Sequence, residues 1–347
     1  MSKHLFSRIK NLVASEWNYL LSRMGMVRCN HYPTFVSIEP ANFCPLHCPA
    51  CPVGRKGKDE KHHTVLSMET YRTILEKLSP YVHTIQFYFQ GEPLLNRQLP
   101  KMIALAKQEG LYTSISTNAQ VINSLLADQL VVSGLDHIIV SIDGLSEESY
   151  RAYRQGGSLH KALEGLCHIR QAKQKHNAHI RIELQCLRLK SNEHEWQHFK
   201  RTYRHMGADT LTLKTAQFYD YEHGNDLMPS NSKYSRYTFD VKSGCYRPKN
   251  RYKSLKDVPC RRLWKGCVID VHGNMFPCCF DKEGQYSFGN LVQSSLDDVW
   301  FSNQALLFRQ SVTQGCWCRY CCGTRFRYPN GRDGCGAVYE GDSKGAS

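Results

Sequence analysis

From residue 34 to about residue 215, short apolar runs alternate with longer stretches that carry a helical repeat. The runs lie at 34–39, 83–89, 111–117, 136–142, 179–187 and 209–215 and are rich in β-branched and aromatic residues, which predicts strands. Between them, Met68, Tyr71, Ile74, Leu75 and Leu78 form one stripe at three- and four-residue spacing. Ile122, Leu125, Leu126 and Leu130 form a second, closed by Gly134; Trp196, Phe199, Tyr203 and Met206 form a third, closed by Gly207. Glycine is the expected residue just past a helix end. Strands alternating with helices predict a parallel sheet with right-handed crossovers. Periodicity alone does not separate an open sheet from a full or partial barrel.

Residues 1–30 read as a basic, amphipathic helical extension. Leu5, Ile9, Leu12, Val13, Leu20, Leu21 and Met24 share one face, and Lys3, Arg8, Lys10, Arg23 and Arg28 decorate the rest. The apolar face is expected to pack against the main domain, with peripheral contact at a membrane surface as the alternative. Residues 31–220 read as the core, and 221–259 as a basic linker without a clear period. A cysteine-dense unit follows at 260–335, then a flexible tail at 336–347. Within that unit, Val268 to Val271 and Met275-Phe276 flank His272-Gly273-Asn274, the pattern of a hairpin, and 296–307 reads as a short helix.

Composition changes this picture in two respects. The 347 residues include 16 cysteines, and the formal charge is +14. Clustered cysteines in a chain with no visible secretory signal point to metal or catalysis rather than to disulfides. A cytoplasmic location is therefore expected. No run approaches the ~20 apolar residues of a membrane span. The charge calls for an anionic partner or substrate, or else for a solvated basic surface. The stretch 233–265 holds Tyr234, Arg236, Tyr237, Tyr246, Arg247 and Arg251 among its cations and aromatics, a mixture that also suits single-stranded RNA.

Cys44, Cys48 and Cys51 follow the first strand with C-x3-C-x2-C spacing, and Pro45, Pro49 and Pro52 hold the segment as a loop. Three thiolates cap three corners of a four-iron cube and leave one iron open. A zinc site would need a further ligand, such as His47. Gln90-Gly91-Glu92-Pro93 ends the second run, Ser116-Thr117-Asn118 the third and Ser141-Ile142-Asp143-Gly144 the fourth. The cysteine loop, together with these motifs, resembles the radical S-adenosylmethionine (SAM) superfamily over residues 34–215. The resemblance implies an α/β fold, a partial (β/α)6 TIM-like barrel. It also implies a [4Fe–4S] cluster on Cys44, Cys48 and Cys51, with SAM chelating the open iron. Gln90, Gly91, Glu92, Asn118, Ser141 and Asp143 would then bind SAM. Gln90 and Ala119 stand where the family has glycine.

Cys260, a Gly273-x4-Cys278 hairpin, a helix and Cys318-x2-Cys321 resemble the SPASM domain, a small cysteine-rich α+β unit. This implies one auxiliary [4Fe–4S] cluster on Cys260, Cys278, Cys318 and Cys321. Arg327 occupies the position of a further cysteine of the two-cluster pattern. Cys245, Cys267, Cys279, Cys316, Cys322 and Cys335 stay unassigned, while Cys29, Cys167 and Cys186 are expected to be buried free thiols. Cys279 stands where the sulfatase-maturing branch has its acid. The nearest acid, Asp281, is expected to face solvent.

The leading expectation is a SAM-dependent radical oxidoreductase or maturase. It cleaves SAM reductively to a 5′-deoxyadenosyl radical and abstracts hydrogen from a peptide or a small anionic metabolite, and the auxiliary cluster relays electrons. By resemblance, the reductant is a flavodoxin or ferredoxin. Two alternatives stay open: a radical RNA-modifying enzyme, and a non-catalytic protein binding zinc and nucleic acid.

Overall fold

The computed structural model describes residues 4–55, 63–249 and 260–313. All six expected strands are present: β1 (Phe35–Ile38), β2 (Thr84–Phe87), β3 (Tyr112–Thr117), β4 (His137–Ser141), β5 (Arg181–Arg188) and β6 (Thr210–Thr215). They pair in parallel and in sequence order, each with the next. Helices cross between them, including Met68–Leu78, Leu99–Gln108, Ser124–Val132 and Leu159–Lys175. Ser67, Asn123 and Ser158 cap three of these by accepting a backbone N–H of the first turn. Gly134 takes the left-handed backbone just past its helix, whereas the helix of the third stripe is shorter than expected, Trp196–Thr202, and a turn carries the chain on to Gly207. This is the partial (β/α)6 barrel.

The sheet does not stop at the barrel. Two later strands form a hairpin, β9 (Gly266–Ile269) with β10 (Asn274–Phe276), preceded in the chain by the separate pair β7 (Tyr237–Asp240) and β8 (Cys245–Pro248). β9 adds in parallel to the free edge of β1, and β11 (Gly289–Asn290) completes the order β11-β10-β9-β1-β2-β3-β4-β5-β6. The two parts also share one core. Cys267, Ile269, Met275, Leu296 and Trp300 belong to the apolar cluster that contains Val36, Ile85 and Ile138. The indole of Trp300 donates to the His31 carbonyl at 2.6 Å, which ties the C-terminal helices to the entry of β1. The helix expected at 296–307 is two helices, Leu296–Trp300 and Asn303–Thr313.

The segment expected as a basic linker is folded over its described residues. Tyr221, Met228 and Tyr237 join Leu46, Cys48, Tyr153, Leu189 and Phe218 in a second core beside the cysteine loop. Tyr221 and Tyr237 stack with ring centroids 4.7 Å apart, and the Tyr237 hydroxyl donates to the Phe218 carbonyl. Irregular turns carry this core, so no period announced it. Several charged and aromatic groups here are engaged internally, Arg247 with Asp240 among them. Arg188 lies over the rings of Trp196 and Tyr234, and Arg236 donates to Gln217.

The N-terminal helix α1 (Leu5–Arg23) does pack on the main domain, but through the face opposite to the one expected. Arg8, Asn11, Ser15, Asn18 and Ser22 are its buried residues. Arg8 donates to the carbonyls of Ser79, Glu109 and Gly110, and Asn11 to those of Tyr32 and Tyr81. These carbonyls sit where the chain enters β1, β2 and β3, and buried carbonyls require donors. The need for donors outweighs the pull of the apolar stripe, which stays outside. Among the described residues, no helix is long and apolar enough to cross a membrane.

Candidate active site

The cysteine loop leaves the C-terminal end of β1 and is held from three sides. The backbone N–H of Glu92 donates to Phe43 O at 2.8 Å, and that of His47 to Gln155 O at 2.8 Å. Gly91 lies so close beneath the loop that a Cβ there would stand 2.1 Å from Ala41 O. Only glycine permits that approach. Cys51 N closes the turn on Cys48 O at 3.0 Å. Every cysteine among the described residues is a free thiol.

Glu92 is buried and its carboxylate is fully used. It accepts the hydroxyl of Thr117 at 2.7 Å and the backbone N–H groups of Asn118 and Leu94 at 2.8 Å and 3.2 Å. Burial pushes its pKa up, against the pull of these donors. Asn118 in turn donates from Nδ2 to Cys44 Sγ at 3.4 Å. Ala119 follows in the left-handed region at φ 58°. Thus the ends of β2 and β3 meet the first cysteine. Ser141 is buried at the end of β4, two residues before Asp143.

Asp143 has no exposed surface and accepts Arg154 Nε at 2.6 Å and Leu187 N at 2.6 Å. Burial alone would lower the pKa of Arg154; Asp143 and the Cys48 thiol beside it hold it above its ordinary value. Burial pushes the Cys44 thiol up to about 12 and Cys48 up to about 11.

The C-terminal part forms the other wall. Gln90 donates from Nε2 to Lys282 O at 2.7 Å, and Lys282 Nζ lies 4.1 Å from the ring centroid of Phe89. Gln90 N is held by Glu39 Oε1 at 3.2 Å. Glu39 is pushed up to about 7, chiefly by burial and then by Asp270. A cavity of about 470 Å³ opens here, lined by Glu39, Phe43, Cys44, Gln90, Asp270 and Lys282 among others. Asp281, expected in solvent, is buried and accepts the backbone N–H groups of Gln285 and Tyr286, so it shapes this wall.

Residues 38–182 match the sequence model of the radical SAM superfamily, and residues 260–322 match that of SPASM, an iron–sulfur cluster-binding domain. The chain belongs to the radical SAM superfamily and carries a SPASM domain. It is similar to the PqqA peptide cyclase of Xanthomonas campestris pv. campestris (strain 8004), 25% identical over 317 residues that cover 82% of this chain and 79% of the other. It is also similar to the Fe-coproporphyrin III synthase of Methanosarcina barkeri, 30% identical over 123 residues, 35% of this chain and 30% of the other. Among solved structures, anSMEcpe with bound AdoMet superposes with TM-score 0.59 at 15% identity, covering 85% of this chain and 86% of that one. Streptococcus suis SuiB bound to S-adenosylmethionine superposes with TM-score 0.59 at 13% identity, covering 81% and 68%. These two likenesses show the shared fold.

A radical SAM enzyme of this kind uses a [4Fe–4S] cluster, SAM and auxiliary iron–sulfur chemistry. The residues present fit that demand. Among the described residues, no three or more His, Cys, Asp or Glu side chains converge on a point, as ligands of a single ion would. A four-iron cube asks for something different, because its thiolates cap separate corners. Three free thiols on one loop, with the glycine-floored approach of Gly91 beside them, supply that.

The structure brings Cys44, Cys48, Cys51, Gly91, Glu92 and Asn118 to one end of the sheet. Gln90 bridges to the SPASM wall, and Asp143 is taken up by Arg154. Cys260 starts the Arg261–Lys265 helix and Cys278 follows β10. Cys318 and Cys321 lie outside the described residues, as do Cys316, Cys322, Cys335 and the expected tail. Of the thiols expected to be buried, Cys186 is buried in β5 and Cys29 half-buried, but Cys167 is exposed, on the outer side of its helix. Two residues of the site carried no signal in the sequence. Arg154 sits in an irregular turn without a period, and Lys282 gains its place only when β9 joins β1.

Proposed function

We propose that this radical SAM enzyme modifies a peptide, in the cytoplasm, at the cavity between the cysteine loop and the SPASM wall. The observation that carries this reading is the cavity's construction. Cys44 lines one side, and Asp270 and Lys282 of the C-terminal part line the other. A substrate lodged there touches both halves of the protein. The likeness to PqqA peptide cyclase along most of the chain supports a peptide over a small metabolite.

In this reading Cys44, Cys48 and Cys51 hold the SAM-binding cluster. Cys260, Cys278, Cys318 and Cys321 hold the auxiliary one. The bound cluster and SAM supply a 5′-deoxyadenosyl radical that can take hydrogen from carbon. The chain's own groups do the rest. Gly91 lets the cysteine loop close over the end of β2, and Glu92 orients Asn118 toward Cys44. Arg154, kept charged by Asp143, faces the cysteine loop as a partner for a carboxylate. Glu39, poised near neutrality, can hold or release a proton at the cavity wall.

The test is anaerobic reconstitution followed by iron counting and SAM turnover with dithionite. The expected result is about eight irons per chain, falling by about four in Cys44→Ala and by about four in Cys278→Ala. Cys44→Ala abolishes 5′-deoxyadenosine, whereas Cys278→Ala retains it. A pool of unmodified peptides with deuterated side chains, read by mass spectrometry, then shows deuterium in 5′-deoxyadenosine and a mass change in one peptide. Zinc in place of iron, with no SAM cleavage, overturns the reading; deuterium transfer from small anions alone overturns the peptide.

A further inference from the structure

Among the described residues, nothing covers the outward face of α1. Phe6, Ile9, Val13, Trp17, Leu20 and Met24 recur at helical spacing, and all are exposed, Phe6 by 83%, Val13 by 65% and Trp17 by 61%. Slack packing does not explain this orientation. The polar face is locked by Arg8 on Ser79 O at 2.7–2.9 Å, by Asn11 on Tyr81 O at 3.2 Å and by Asn18 on the ring of His31 at 3.0 Å. Turning the stripe inward would swing Arg8 and Asn11 out to solvent and leave those buried carbonyls without donors. A contiguous exposed apolar stripe of this length marks an interaction surface.

We propose that this face seats the protein on an anionic lipid bilayer, with α1 lying in the plane of the interface. The charges beside the stripe select the occupant. Lys10 flanks one edge and Arg23 the other, and Arg28 follows; all three are exposed. The helix's only acid, Glu16, is engaged by Arg261 and Lys265. An apolar stripe with cationic rims is the pattern that binds acidic headgroups. Trp17 lies in the stripe, and an indole favours the boundary between hydrocarbon and water. A second copy would instead bring the same cations to the same rims, on chains of formal charge +14. The face stands at the entry ends of β1, β2 and β3, away from the cysteine loop, so the inference does not rest on the proposed activity.

The test uses the full-length, cluster-loaded protein and sedimentation with vesicles. It should pellet with phosphatidylcholine vesicles containing about 30% phosphatidylglycerol and remain in solution with pure phosphatidylcholine. Val13→Asp should weaken that binding about tenfold, and so should the pair Lys10→Glu and Arg23→Glu, with 5′-deoxyadenosine formation and far-ultraviolet dichroism unchanged. Blue-shifted emission lost in Trp17→Phe would support insertion of the stripe. Absence of binding to the anionic vesicles overturns the proposal, as does binding indifferent to Val13→Asp. A concentration-dependent dimer that Val13→Asp dissociates, without vesicle binding, overturns it in favour of self-association.

Discussion

Arg154 donates from Nε to Asp143 Oδ2 at 2.6 Å, and Asp143 has no exposed surface at all. Removing one member of a buried pair leaves an uncompensated charge, which costs about 3–5 kcal/mol. Arg154→Met should therefore lower stability by that order, and the double variant Arg154→Met/Asp143→Asn should recover most of the loss. A double-mutant cycle on thermal midpoints checks this. Arg154→Met should also reduce SAM turnover, because the cation nearest Cys48 is gone; a midpoint equal to the parent's would refute the pairing.

Gly91 offers a test of the loop's floor. An added methyl would meet Ala41 O and both backbone polar atoms of Phe43, at 2.1 Å and 2.7 Å. Backbone cannot yield as a side chain can, so Gly91→Ala should cost on the order of 3 kcal/mol and lower iron content. At Gly25 nothing lies within 4 Å and only φ +83° opposes a side chain. Gly25→Ala should cost about 1 kcal/mol, with iron unchanged. Iron per chain and urea midpoints of the two variants separate local strain from a lost site.

Glu39 makes stability fall as pH rises. Its pKa climbs from 4.5 in the unfolded chain to about 7 in the fold, through burial and Asp270, against the help of Gln90 N and Lys282. Between those two values the folded state holds a proton that the unfolded state has lost. The stabilisation is thus complete below the lower value and is lost as pH passes the upper one, on the order of 3 kcal/mol in all. Glu39→Gln should flatten this slope. Unfolding midpoints measured across that window check it, and a variant as steep as the parent excludes Glu39 as the source.

Ala119 adopts φ 58°, a conformation that costs an L-residue about 1 kcal/mol. Its methyl is buried, which contributes about 0.8 kcal/mol. The two nearly cancel, so Ala119→Gly should leave stability almost unchanged. Ala172→Gly, buried within the helix Leu159–Lys175, should cost about 1 kcal/mol or more. Parallel denaturation curves decide.

The sequence revealed most where one local rule acts alone. The barrel strands are buried runs such as Ile138–Val140, and burial on both faces of a parallel strand writes itself as unbroken hydrophobicity. The turn after Asn118 is likewise a short-range demand, and Gly91, though its close partner Ala41 is distant in the chain, is readable as part of a motif. Where two distant needs compete, the pattern misleads. The stripe on α1 was legible as a stripe, but not that the strand-entry carbonyls would claim the helix's other face. The β9–β1 pairing joins residues more than two hundred positions apart, and nothing local to Val268 names Ser37 as its partner. Arg154, read in isolation, is one more cation in a basic chain.

Helix α1 and the cysteine loop stand at opposite ends of the same strands. The longest measure between them is β3, whose six residues span about 20 Å at the usual rise per residue. Anything fixed to the surface on which α1 rests would need a tether longer than that, running around the rim of the sheet, to arrive at Cys44. A freely diffusing chain meets no such requirement. With α1 seated on a bilayer as proposed, substrates would be sorted first by reach, before any side chain in the cavity touched them.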